Sequence, residues 1–397
     1  MKIILLHNAY RLRGGEDVVF DNEFRMLSAA NHDVTRVELS NDQIYSFSDK
    51  FKTLVNAHNS KEKAKWIETL IENTGAKIIH IHNFFPLLTP SVHVAAARKG
   101  VAVVQTLHNF RLICANAMLL RNNKICEKCI GGSRQWGVVY RCYRGSLVGS
   151  LAVVAMQNSA ARRRIWQNDV HRFIALTEFA REKFVEGGIP GARIAVKPNF
   201  INSTASIAPS ETRSGALFVG RLSKEKGVDV LLNAWRSFGN VPLTIVGDGP
   251  ESDRLRRDAP QNVRFVGSLS ISSVRELMTH SIALIVPSVW YEGFPMVIVE
   301  AFSVGLPVIA SDIGSLGELI KEGENGAKFI PKDVDSLRLT LAALFADPGR
   351  LARLGKGAKT TFDNLYTEEK NLHILEKIYS EAIELANTQK KTYHDRV

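Results

Sequence analysis

Residues 282–311 read IALIVPSVWYEGFPMVIVEAFSVGLPVIAS. Five apolar residues run up to Pro287, a mixed loop follows, and a longer apolar run begins after Pro295. A third short run closes the segment at 307–310. Short, fully apolar runs suit strands covered on both faces, and the longer run between them suits a helix lying on such a sheet. The segment therefore predicts a strand over 282–286, a helix over 296–304 and a second strand over 307–310. Pro295 fits the first helical turn, where a missing N–H has no partner to lose. The amides near Met296 and Val297 then point out of the helix end, a place that binds phosphate. Glu292 and Gly293 stand in the loop before the helix, and Glu300 lies about one turn inside it. Alone, the two glutamates also fit a plain surface helix start favoured by the macrodipole.

The same alternation extends in both directions. Strands are predicted over 216–220, 243–247 and 263–266, and helices over 228–238, 251–257 and 272–279. An earlier series has strands over 2–6, 33–39, 76–82 and 101–107, with helices over 18–30, 61–73 and 91–99. A stretch rich in Ser, Thr, Pro and Asn over 199–214 reads as a linker between them. Two consecutive βα series predict an α/β protein of two doubly wound, Rossmann-like domains, over 1–200 and 214–365. Residues 366–397 form a terminal element, helical over 368–387 and frayed beyond. Ligands of such sheets bind at the carboxyl ends of the strands, so a cleft between two facing domains is the expected site.

Composition agrees. The chain has 397 residues, 45% hydrophobic and 23% charged, enough for two or three cores and unlike disordered or fibrous chains. The longest apolar stretch, 146–156, is far short of the roughly 20 residues a membrane helix needs. The first eight residues turn polar too soon for a signal peptide. The expected location is cytoplasmic, at most peripheral on the inner face of the membrane. The net charge is +11, and it is concentrated. Between Arg98 and Arg172, 13 basic residues face only Glu127 and Asp169. Such a surface attracts anions: phospholipid, a pyrophosphate-linked acceptor or nucleic acid. No zinc-finger, RNP or basic-zipper pattern supports nucleic acid.

Two more strand ends carry chemistry. FVGRLSKEKG, 218–227, offers Gly220 for close backbone approach and two cations, Arg221 and Lys226, for a diphosphate. HNAYRLRGGED, 7–17, ends a strand and opens a helix at Gly14 and Gly15, where amides can meet an anion. It is not the GxGxxG dinucleotide pattern. GDGP at 247–250 marks another strand-to-helix turn.

Taken together, these segments resemble the retaining glycosyltransferases of family four, which have the GT-B fold. The resemblance covers nearly the whole chain. It is strongest at GRLSKEKG (220–227), IVGDGPE (245–251), VRFVG (263–267) and EGFPMVIVEAFSVGLPVIAS (292–311). RGGEDVVFDNE, the turn Thr106-Leu107-His108-Asn109 and a cysteine cluster resemble a bacterial polysaccharide-assembly subgroup. The resemblance implies that Arg221 and Lys226 hold the donor diphosphate and that Glu300 binds the ribose hydroxyls. It implies that Glu292, with the backbone of Gly293, Phe294, Pro295, Met296 and Val297, holds the donor sugar. Gly14 and Gly15 would approach the diphosphate from the other domain, His108 would face the sugar, and backbone at 265–267 would cover the base. The segment 198–201, PNFI, departs from the family's usual Asn-Gly pair and leaves the hinge geometry open.

The activity so implied is transfer of a hexose from UDP- or GDP-hexose to an acceptor hydroxyl with retention. The cations and amides would replace the divalent metal many sugar transferases need, so no catalytic cofactor is expected. The expected acceptor is polyprenyl-diphosphate-linked or another glycan in lipopolysaccharide, capsule or exopolysaccharide assembly. A double-displacement hydrolase is disfavoured, because the resemblance places Glu300 on ribose, away from the reacting carbon. A same-fold nucleotide-sugar epimerase, a soluble glucan or disaccharide synthase, and a non-catalytic anion-binding protein are the competing readings.

All four cysteines, Cys114, Cys126, Cys129 and Cys142, fall within a basic insertion at about 110–145. In a cytosolic chain they suggest metal or thiols rather than disulfides. The C-x-x-C at 126–129 with two further thiols could close a tetrahedral structural zinc site; buried thiols and a redox pair are the alternatives.

Overall fold

The computed structural model describes residues 1–9, 14–40, 59–202 and 213–394. It divides into two compact units. The first comprises Met1–Leu119, Cys126–Asn199 and Asn371–Val397, and the second Leu120–Ile125 and Phe200–Lys370.

The strands, in chain order, are β1 (Lys2–Ala9), β2 (Asp33–Ser40), β3 (Ile78–Asn83), β4 (Ala102–Thr106), β5 (Leu120–Arg121), β6 (Lys124–Ile125), β7 (Arg172–Ala175) and β8 (Ile194–Val196). They continue as β9 (Ala216–Val219), β10 (Leu243–Val246), β11 (Val263–Gly267), β12 (Ala283–Val286), β13 (Val308–Ser311) and β14 (Gly326–Phe329). The first unit holds a parallel sheet in the order β2-β1-β3-β4-β7-β8, and the second one in the order β11-β10-β9-β12-β13-β14. β5 and β6 form a small antiparallel hairpin.

The packing explains the continuous apolar runs. In β12, Ala283 and Ile285 belong to one buried cluster, with Leu231, Trp235 and Leu337. Leu284 and Val286 belong to another, with Ile298, Phe302 and Phe362. Both faces of the sheet are covered, which favours apolar residues at successive positions. In β1, every residue after Lys2 is buried.

The order of the second sheet reverses at the β9–β12 pair. The loops leaving those two strands at their carboxyl ends are therefore brought side by side, the usual position of a ligand in a doubly wound sheet. These are the loops at 220–227 and 287–295. In the first sheet the order reverses at β1–β3, which gathers the loops after β1 and β3.

One sequence expectation needs revision. The terminal helix does not fray at Thr388: it runs Glu368–His394. From Asn371 onward it groups with the first unit, where Tyr379 is fully buried. The apolar stretch at 146–156 belongs to a helix, Leu147–Arg162. The linker expected over 199–214 falls mostly on 203–212, outside the described residues, as do Tyr10–Arg13 of the first glycine loop. Among the described residues, no helix is long and apolar enough to cross a membrane.

Candidate functional site

In the second unit, the loops after β9 and β12 are locked together. Gly227 closes the turn Lys224–Lys226 in the left-handed conformation, φ +65°, and opens the helix Val228–Trp235. A Cβ there would lie 2.0 Å from the carbonyl oxygen of Pro287, so glycine is required by both conformation and contact. The amide of Val289 donates to the carbonyl of Glu225 at 2.9 Å, a second tie between the loops. Gly247, φ +130°, is pressed against Gly220 in the same way: a Cβ would meet its carbonyl oxygen at 1.9 Å.

This locking places Lys226 on Glu292. The ammonium Nζ donates to Oε1 at 2.7 Å, and the Ser288 hydroxyl donates to the same oxygen at 2.6 Å. Glu292 is buried, and Lys226 lies 5.8 Å from the centre of the Trp290 ring. The buried indole Nε1 of Trp290 has no hydrogen-bond partner. Arg221 is exposed and, among the described residues, forms no ion pair. The site thus presents one cation held in place and one reaching into solvent.

The helix Met296–Ser303 starts one residue later than the proline rule suggests, because Pro295 is its N-cap rather than its first helical residue. Its carbonyl accepts from the amide of Ile298 at 3.0 Å. The amides of Met296 and Val297 precede that first helical bond and have no carbonyl within the helix to meet. The side chains of Phe294, Met296 and Val297 pack on the core cluster, which leaves the backbone for a ligand. Glu300 is half-buried. Burial raises its pKa, and Arg275 opposes the rise.

In the first unit, residues next to Gly14 and Gly15 are tied to the turn that carries His108. The helix Gly15–Ala29 begins at Gly14, in extended conformation. Asp17 accepts from the amide of Gly14 at 2.6 Å and holds His7 Nε2 at 2.8 Å. One amide expected for an anion is therefore already taken by a carboxylate. The neighbouring Glu16 accepts from Asn109 Nδ2 at 3.4 Å, which ties this helix start to the turn after β4. Burial, with Asp17 adding to it, pushes the Glu16 carboxyl up to about 8, against Arg111 and Asn109. At neutral pH Glu16 is mostly protonated and does not repel an anion at this helix end.

His108 Nε2 lies 2.9 Å from His82 Nδ1. Behind His82 is Glu23, fully buried and bonded at 2.7 Å to Lys197, also fully buried. Glu23, His80 and His82 offer the one group of three metal-ligating side chains, among the described residues, with atoms within 4.8 Å of one another. Sequence reading missed this network, and also Glu16, Ser288 and Trp290. A strand carrying His80 and His82 looks like any buried strand, and Glu23 and Lys197 are 174 residues apart.

The four cysteines are neighbours but not a closed ligand set. Burial and the three other cysteines push the Cys129 thiol up to about 11. No three of their sulfurs lie within 4.8 Å of one another, and none forms a disulfide. An Asp-x-Asp triplet, taken in the sequence reading as absent and so as agreeing with metal-independent transfer, is present at Asp333-Val334-Asp335. Here it starts a helix: Asp333 accepts from the amide of Ser336 at 2.9 Å, and Asp335 pairs with Arg338 at 3.2 Å.

Comparison with known proteins follows the same division. Residues 23–199 match the Glycosyl transferase 4-like domain, and residues 201–361 match Glycosyl transferases group 1. Glycogen synthase of Mycobacterium tuberculosis is 33% identical over 184 residues, 43% of this chain and 44% of the relative. Phosphatidyl-myo-inositol mannosyltransferase of Mycobacterium leprae is 30% identical over 222 residues, 52% of this chain and 58% of the relative. The chain thus spans about half the length of the curated relatives it matches. Among solved structures, Anabaena HepE in complex with UDP and glucose superposes with a TM-score of 0.66 at 19% identity, over 96% of this chain and all of that one. The lipopolysaccharide outer core galactosyltransferase WaaB, in its apo form, superposes with a TM-score of 0.61 at 18% identity, over 98% of this chain and all of that one. At these identities the likeness is one of fold, the two-unit GT-B architecture.

Proposed function

Because this chain belongs to the GT-B glycosyltransferases of family four, we propose that it moves a hexose from a UDP- or GDP-hexose to an acceptor hydroxyl, with retention and without metal. The observation that carries the reading is the paired loop in the second unit. Cleavage of the donor bond builds negative charge on the departing diphosphate, and preorganised cations and amides are the effective way to stabilise it. Arg221, Lys226 and the amides of Met296 and Val297 are the groups of that kind, and Gly14 and Gly15 are assigned to the same diphosphate. Glu292 directs Oε1 to Lys226 and Ser288, which leaves Oε2 for sugar hydroxyls. Glu300 is assigned to ribose and His108 to the sugar. That Anabaena HepE was crystallised with UDP-glucose supports a nucleotide-sugar donor.

The proposed acceptor is a lipid-linked glycan in surface polysaccharide assembly, reached at an anionic membrane. Trp136, Val139, Leu147, Val148 and Leu151 are exposed within the basic stretch, next to exposed Arg141 and Arg144. Exposed apolar side chains with exposed arginines close to them in sequence match an anionic lipid interface. The match to glycogen synthase favours a second reading, a soluble glucan synthase. The four cysteines are assigned one structural zinc, around which their sulfurs must draw together. Zinc analysis of protein purified without chelator should find about one ion per chain, and none would remove the assignment.

The first test is thermal shift with UDP, GDP, ADP, CDP and dTDP at millimolar concentration. A ligand at about 100 times its Kd adds roughly 2.7 kcal/mol. One responder, lost in Lys226→Ala, is expected; no responder among the five would refute the diphosphate site. Sedimentation with anionic vesicles at low salt should carry the protein down, and Leu147→Asp with Val148→Asp should release it. Wild type left in the supernatant would favour the soluble reading.

A further inference from the structure

The first unit buries a chain of charged and polar side chains that the proposed reaction does not by itself require. Lys197 Nζ donates to Glu23 Oε1 and to Asn371 Oδ1, each at 2.7 Å. The orientation of Asn371 is settled by its other end, since Nδ2 donates to the carbonyl of Pro198 at 2.6 Å. Lys197 therefore faces two acceptors, and against burial its charge and the neighbouring histidines hold the Glu23 carboxyl well below the usual carboxylate range, so Glu23 is the carboxylate of a buried ion pair. The other carboxylate oxygen, Oε2, lies 3.2 Å from His82 Nε2 and 3.6 Å from His80 Nδ1. Neither Oε2 nor His82 Nε2 has an aligned hydrogen-bond partner, and their 3.2 Å approach is an ion-pair contact without hydrogen-bond alignment.

Two lone pairs facing each other at that distance would repel, so His82 carries its hydrogen on Nε2. Its Nδ1 is then a lone pair, and the atom 2.9 Å away, His108 Nε2, must supply the hydrogen between them. A doubly protonated His82 would add a second buried cation beside Lys197, with one carboxylate for both. The remaining titratable groups around these rings do not alter the balance. His80 is held by Tyr379 at 2.8 Å and Thr106 at 2.7 Å, and His7 is held by Asp17 at 2.8 Å. Burial lowers the pKa of His80, His82 and His108 alike, which keeps all three rings neutral.

We propose that Lys197, Glu23 and His82 are positioning residues that fix His108 as its Nε2–H tautomer, so that Nδ1 of His108 is a standing hydrogen-bond acceptor. Where His108 meets the donor sugar, it then accepts from a sugar hydroxyl and does not donate. That consequence rests on the proposed function; the tautomer does not. A metal on Glu23, His80 and His82 is the competing use of these atoms. It would place a divalent ion beside the Lys197 ammonium and take His80 Nδ1 from Tyr379.

The test is long-range proton–nitrogen NMR on the full chain with 15N-histidine, His108 being assigned by His108→Gln. The expected wild-type signal is a neutral Nε2–H ring that does not titrate between pH 6 and 8. Glu23→Gln should invert it. The glutamine oxygen stays on Lys197 and its NH₂ faces His82 Nε2, so His82 carries its hydrogen on Nδ1 and His108 becomes Nδ1–H. A wild-type Nδ1–H or imidazolium signal overturns the proposal, and so does an unchanged tautomer in folded Glu23→Gln or a stoichiometric metal in the purified protein that Glu23→Gln removes. Should Glu23→Gln not fold, the wild-type spectrum decides. Affinities for UDP and UDP-glucose, as probes, separate this proposal from the function. An inverted tautomer that weakens UDP-glucose about tenfold and leaves UDP unchanged supports both. An inverted tautomer with both affinities unchanged supports the orienting chain and removes His108 from the sugar.

Discussion

Replacing Gly227 by alanine tests the locked loop pair of the second unit directly. The new Cβ would sit 2.0 Å from the Pro287 carbonyl oxygen, 3.0 Å from its carbonyl carbon and 3.1 Å from Val289 Cγ1. Real Cβ contacts below 3.0 Å essentially do not occur, so the loops must part by about 1 Å. The left-handed backbone adds its own penalty of roughly 1–2 kcal/mol for an alanine. Gly323, φ +78°, separates the two terms, because a Cβ there meets nothing within 4 Å. Gly323→Ala should therefore lose only the conformational term. At about 2–4 °C per kcal/mol for a unit of this size, that lowers its melting temperature by roughly 2–8 °C. Gly227→Ala adds the clash and should lose about 3 kcal/mol or more, roughly 10 °C. The parting also draws Lys226 from Glu292, now 2.7 Å away, and a displacement of about 1 Å at a reacting site can lower turnover on the order of 10²-fold. Thermal unfolding and donor turnover of both variants form the assay. If Gly227→Ala melts and turns over like Gly323→Ala, the loops are not held by this contact and the reasoning fails.

Three further outcomes follow from other parts of the structure. Lys226→Ala and Arg221→Ala should each lose about 10²-fold in kcat/KM, the scale of removing one donor to a developing anion, and near-wild-type turnover in either would sink its assignment. Lys197→Met leaves Glu23 charged and fully buried, and should lower stability to urea by about 3–5 kcal/mol; Lys197→Met with Glu23→Leu should recover much of it, and no recovery would argue against an isolated pair. Glu16 holds a proton in the fold up to about pH 8 and releases it near 4.5 when unfolded, so the folded state binds more protons between those values and stability falls as pH rises through them, by at most about 1.4 kcal/mol per unit. Glu16→Gln removes this slope, so the variant should gain on wild type in urea melts from pH 5.5 to 8.5, and parallel slopes would contradict the buried carboxyl.

Much of the fold was legible because its signals are local. A strand covered on both faces favours apolar residues at successive positions, so the runs at 282–286 and 101–104 identify β12 and β4 without knowledge of their neighbours. The glycines were legible for the same reason, since Gly227 and Gly247 hold conformations that other residues rarely adopt. Helix ends were less so: a 3.6-residue period does not mark where a helix stops, and the terminal helix runs beyond the expected Thr388 because its face packs on the first unit.

The sequence by itself determined the βα alternation, the two series, the strand-end loops and the residue types in them, because each depends on residues within a few positions of one another. It could not tell which loops would be neighbours. Strand order decided that: β9 pairs with β12, and so Lys226 reaches Glu292 across 66 residues of chain. The same holds for Lys197 on Glu23, His82 on His108 and Tyr379 on His80, contacts made by sheet order and by a terminal helix that returns to the first unit. Local conformation follows from local steric and solvation terms. The partners of a buried charge follow from how distant segments pack, and at this site those partners set its protonation.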